Sequence, residues 1–117
     1  QAQQIKEKLN QCASATEAND KTACSMANIE FHSAIHAACG NQWLIEQLQQ
    51  IGMHINTYRS LPFELRGRLQ KSTEEHGKIY ETILAGDSEK ASSLMREHMT
   101  LQGQRLPAII KHMESLQ

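Results

Sequence analysis

His76 and His98 each fall at the centre of an otherwise apolar helical face. An earlier segment carries Asn28 and His32, spaced i,i+4 and so one turn apart on a helix. Histidines in apolar stripes have two readings. They can be neutral core residues held by hydrogen bonds, or they can be ligands. Neutral imidazole binds zinc, nickel, copper and iron. Three imidazole nitrogens with one amide or carboxylate oxygen leave positions open for water or an exogenous carboxylate. The chemistry to test is therefore that of a metal or small-ligand site assembled from separate helices.

The elements that would position these side chains are helical throughout. Gln, Glu, Leu, Ala, Met and Lys dominate, β-branched runs are absent, and Gly and Pro are few, which gives an all-α class. A first stripe runs through Ile5, Leu9 and Cys12. Asn19-Asp20 starts a second helix that reaches Cys39, with Ala23, Ala27, Phe31, Ala34, Ile35 and Ala38 along one side. Gly40 stops it, and Asn41 caps a helix over about 42–60 with the stripe Leu44, Leu48, Ile51 and Ile55. Leu61-Pro62 breaks that helix. The next spans roughly 63–85, with Gly86 at its left-handed end. Asp87 or Ser88 caps a helix from Glu89 to about Gln102, and Gly103 with Pro107 interrupts or kinks it before a final helix over 108–116. Short connections imply an antiparallel helical bundle of about five to six helices.

Helix heights bring the histidines together. His76 and His98 lie ~15 and ~18 Å from the turn at Gly86, taking ~1.5 Å per residue. In an antiparallel hairpin their rings share one level. His32 lies ~12 Å before Gly40, and His76 returns to within ~7 Å of the same level. Asn28 is on the same side of the helix as His32, and both flank its apolar stripe. His36 is a rival at compatible height, turned about 40° further from the core.

Other chemistries find less support. Thr73 and Met95 stand three residues before His76 and His98, so the Glu-x-x-His pairs of a diiron bundle are missing. No HExxH signature occurs. Cys39 has no accompanying nucleophile motif. Glu74, Glu75 and Lys71 read as a solvated helix face, and Arg68 as surface charge at a helix end. Arg59 could instead aim its guanidinium at a bound carboxylate. Met26, Met53, Met95 and Met99 read as core or near-core filler, and His54 and His112 as partly exposed.

The 117 residues fit one domain with one core. The formal net charge is -1, without a basic stripe, so the chain is not built to grip nucleic acid by itself. Aromatics are 4% of residues, too few for base-stacking platforms. Three cysteines without CxxC spacing argue against a disulfide framework and for a reducing cytoplasm. No apolar run approaches the ~18–20 residues of a membrane span, and no stretch reads as a signal peptide.

Several short segments, in order, point to a family. Phe31-His32, Cys39-Gly40-Asn41, Glu75-His76-Gly77-Lys78-Ile79, Ala85-Gly86-Asp87 and Met95-Arg96-Glu97-His98 together resemble the C-terminal effector (FCD) domain of GntR-type transcription regulators of the FadR subfamily. The resemblance runs from about Ile5 to the C-terminus. It implies an antiparallel all-α domain, not an enzyme, that senses a small metabolite, often a carboxylate, and holds a divalent metal such as zinc or nickel. It implies homodimerisation, and operator DNA bound through an upstream winged helix-turn-helix. That domain and the family's first effector-domain helix would lie outside residues 1–117. By position, Asn28, His32, His76 and His98 would be the metal set, with Asn28 where many members carry Asp. Two other functions stay open at this point: a metal-dependent hydrolase or lyase on the same three histidines, and a structural dimerisation bundle with buried neutral histidines.

Overall fold

A computed structural model describes the backbone of residues 1–59, 61–64 and 67–116; within these, the side chains of 57–59, 61, 101–106, 108–109 and 112–113 lie outside the description. The described residues form five α-helices and one 3-10 turn, with no strand, so the fold is all-α. They divide into two compact units, Gln1–Ser60 and Leu61–Gln117.

The first unit contains α1 (Ala2–Glu17), α2 (Lys21–Ala37) and α3 (Gln42–Arg59). α1 packs on α2 through Ile5, Cys12 and Ala15 against the face that carries Cys24, Ala27 and Phe31. The turn between them is closed by Asn19, at φ 51, and by Asp20, whose carboxylate accepts from the Ala23 N–H at 3.0 Å. Satisfying that otherwise orphaned donor is why the chain re-enters a helix here. Asn41 does the same for α3, accepting from the Leu44 N–H at 3.1 Å.

The stripe expected on α3 is rotated. Ile45 and Leu48 are half-buried and Gly52 is buried, whereas Leu44 and Ile51 are exposed, as is Trp43. Met26 and Met53 are exposed too, at 62% and 78%, so neither fills a core as expected. Periodicity locates a stripe but does not tell which edge of it meets a neighbour. His54 is exposed, and the side chain of His112 lies outside the described residues.

The second unit contains the 3-10 turn (Leu61–Glu64), α4 (Arg68–Leu84) and α5 (Ser88–Ser115). Pro62 and Phe63 are buried, and the 3-10 turn packs on both α4 and α5. α4 therefore starts at Arg68, after Gly67, and not at Phe63. Gly86, at φ 71, makes the left-handed turn that an L side chain adopts only under strain. Asp87 then caps α5 by accepting from the Lys90 N–H at 3.1 Å. α5 continues through Gly103 and Pro107 as one helix, so of the interruption or kink expected there the interruption does not occur. One proline removes one helical hydrogen bond; the turns on either side are enough to carry the helix across it.

Candidate metal centre

The α4–α5 hairpin brings His76 and His98 into direct contact. Their ring centroids are 4.9 Å apart in an edge-to-face arrangement, and each residue is 1% exposed. Each ring offers a nitrogen within 4.8 Å of one from the other. The equal heights read from the turn at Gly86 are thus realised. The His76 pKa is pushed down to about 3, chiefly by burial and then by the neighbouring His98, with Glu75 opposing the fall and Arg68 adding to it. His76 is therefore neutral near pH 7, the form a metal requires.

Two residues assigned to solvent by the sequence belong to this site. Arg68 is not surface charge: it is 1% exposed, and its guanidinium forks onto Glu75 at 2.9 and 2.7 Å. Glu75 is not simply a solvated face: its Oε1 also lies 2.5 Å from His98 Nδ1. Arg68 shares the buried side of α4 with Leu69, Ser72, His76 and Ile79. A guanidinium on that side needs an anion, because an unpaired buried charge is costly. Burial pulls the Glu75 pKa up, but hydrogen bonds from Arg68 and His98, with their charges, outweigh it and hold the carboxyl below its usual range. The seven-residue spacing of Arg68 and Glu75 places them within about 20° on one helix face, and that was the available signal. Ser72, between Arg68 and His76, is also buried, and its hydroxyl has no hydrogen-bond partner among the described residues.

In the first unit, Asn28 and His32 lie on the buried face of α2, each 3% exposed. They sit within that face and do not merely flank it. The Phe31 ring meets His32 edge-on at 5.6 Å. Asn28 Oδ1 is buried with no hydrogen-bond partner among the described residues. His36 is half-buried and lines a groove between α2 and α3 with Ser33, Ile45 and Asn56. The side chain of Arg59 lies outside the described residues.

The donor set fits a divalent ion of borderline softness. On the α4–α5 hairpin it consists of the imidazole nitrogens of His76 and His98, with burial favouring the neutral form of His76.

The FCD domain family model matches residues 1–101. The chain belongs to the FCD domain family. Relatives of this FCD domain are named as transcriptional regulators. It is 30% identical over 73 residues to the HTH-type transcriptional regulator BphR of Paraburkholderia xenovorans, a match covering 62% of this chain and 30% of that protein. It is 27% identical over 99 residues to an L-lactate dehydrogenase operon regulatory protein, so named, of Escherichia coli, covering 81% of this chain and 38% of that protein. The same figures hold for the protein of that name in Shigella flexneri. The FCD domain thus spans about a third of the length of these regulators. No solved structure matches it. Among the described residues, no helix is long and apolar enough to cross a membrane.

Proposed function

We propose that this FCD domain is the effector-binding and dimerisation part of a cytoplasmic, metabolite-responsive transcription regulator, holding a divalent metal through His32, His76, His98 and Asn28. The observation that carries the reading is the buried contact of His76 with His98, whose Nδ1 is held by Glu75. The family membership supports a regulatory, non-catalytic role, and the relatives named as regulators support operator binding through a separate domain.

A divalent ion held there supplies a Lewis-acidic position that can accept a carboxylate oxygen. Ser72 would offer a hydrogen bond near it, and Arg59 would contact the same carboxylate. The proposed donors come from α2, α4 and α5. A carboxylate that favours one arrangement of those helices shifts the population toward it, and a dimer partner or DNA-binding domain can read that shift. The name of the Escherichia coli relative makes lactate a sensible first probe.

A metal-dependent hydrolase on the same residues would need a general base. Glu75 is a poor one, because Arg68 and His98 hold it ionised and occupied. Elemental analysis and titration calorimetry with zinc and nickel test the reading on the wild type and on His76→Ala/His98→Ala. The wild type should bind one ion and the double variant none. Equal metal content in the two would sink the assignment. Lactate and a panel of small carboxylates should then raise the melting temperature only in the metal-loaded protein.

A further inference from the structure

We propose that Glu75, clamped by the Arg68 fork, is a positioning residue that fixes His98 as its Nδ1–H tautomer and thereby presents the Nε2 lone pair for metal binding. The clamp is read from contacts within the α4–α5 hairpin; its consequence for a metal rests on the proposed function above.

An ionised carboxylate can only accept hydrogen bonds. The 2.5 Å contact between Glu75 Oε1 and His98 Nδ1 therefore places the ring hydrogen on Nδ1. In the neutral form of His98 that is the ring's one hydrogen, so Nε2 keeps its lone pair. The same contact selects between the two ring orientations that rotation about χ2 would allow. A buried ring without that acceptor would divide between tautomers and flips, and only one of those forms points a lone pair at the centre.

Arg68 makes the clamp rigid. Its fork engages both Glu75 oxygens, at 2.9 and 2.7 Å, and Oε1 is shared with His98. A lysine would hold one oxygen and leave the carboxylate free to turn. The side chain of Glu75 is 25% exposed, and it borders a surface depression lined also by Lys71, Lys78 and Glu97. Without the fork, water in that depression would compete for the carboxylate. Partners that orient a ligating histidine in this way commonly contribute ~10–100-fold to metal affinity.

The test uses the 117-residue chain with 15N-labelled histidine, metal-free and at mildly alkaline pH. Two-bond 15N–1H correlation spectra report which ring nitrogen carries the hydrogen, and His98→Gln identifies the signal. The wild type should show His98 as Nδ1–H. Glu75→Ala should shift it to the Nε2–H or an averaged form and weaken zinc binding ~10–100-fold. Glu74→Ala removes the same charge one residue away and should change neither. If Glu75→Ala does not fold, Arg68→Lys keeps the charge but loses the fork, and should give a mixed tautomer signal with several-fold weaker zinc binding. A His98 signal that stays Nδ1–H in the folded variant overturns the proposal. A wild type that binds no zinc would instead sink the metal reading, while the tautomer signal still decides the clamp.

Discussion

Arg68 and Glu75 lie seven residues apart on α4 and form a bidentate ion pair, with Arg68 1% exposed and Glu75 only partly so. The pair turns a helix surface into an anchor for a histidine on the next helix. Removing one member leaves a buried charge without its partner, which costs about 3–5 kcal/mol. Glu75→Ala should lose stability at the lower end of that range, because Glu75 retains some contact with water. Glu74→Ala, an exposed neighbour, should stay within about 0.5 kcal/mol of wild type. Urea denaturation of the three proteins checks this. Equal losses for the two variants would mean that the pair is a surface ion pair in solution.

Asn28 offers an amide oxygen where a carboxylate would serve a cation better. Asn28→Asp should tighten zinc binding by roughly tenfold, about 1.4 kcal/mol. The same change should cost the metal-free protein about 2 kcal/mol or more, because it buries a charged group at a position 3% exposed. The two effects have opposite signs, so melting curves with zinc and with a chelator separate them. Tighter binding should be absent if Asn28 does not face the metal.

Metal removal has its own signature. At an ion concentration a hundred times its dissociation constant, binding adds about 2.7 kcal/mol to stability. For a domain of this size the melting temperature should fall on the order of 10 °C when a chelator is added. His76→Ala/His98→Ala should melt at the same temperature with and without chelator.

Two glycines in the second unit should respond oppositely to alanine. Gly86 sits at φ 71, where an L residue costs about 1–2 kcal/mol, so Gly86→Ala should destabilise by that amount. Gly77 lies inside α4, and a Cβ there meets nothing within 4 Å. Gly77→Ala should therefore stabilise by about 0.5–1 kcal/mol. Chemical denaturation of both variants reads the sign directly.

The three thiols should differ in reactivity. Burial pushes the Cys12 thiol up to about 12, with Cys24 and Glu30 adding to the rise, whereas Cys39 is exposed. Iodoacetamide at pH 8 should label Cys39 first and leave Cys12 unlabelled until the protein unfolds. The linkage has a definite sign. The folded value lies above the unfolded value of 9.0, so the contribution is complete below pH 9.0 and is lost as pH rises toward about 12. Stability should fall over that interval, and Cys12→Ala should flatten the fall.

Local signals in the chain were strong where a single residue settles the backbone. Asp20, Asn41 and Asp87 cap the helices that their side chains suggest, because each is the nearest acceptor for an orphaned N–H. Gly40 and Gly86 turn where expected, at φ 73 and 71. Helical rise alone put His76 and His98 at one level across the Gly86 turn, since a hairpin of short connection leaves little freedom in height.

Rotation about a helix axis was a different matter. The sequence by itself determined the all-α class, the turns, the caps and the candidate imidazoles. Only the tertiary structure decided that Arg68 and Glu75 belong to the site, that Leu44, Ile51, Met26 and Met53 face outward, and that α5 runs on past Gly103 and Pro107. The reason is physical. Caps and turns depend on neighbours in the chain, whereas the burial of a charge depends on whether a partner from another turn or another helix is there to satisfy it.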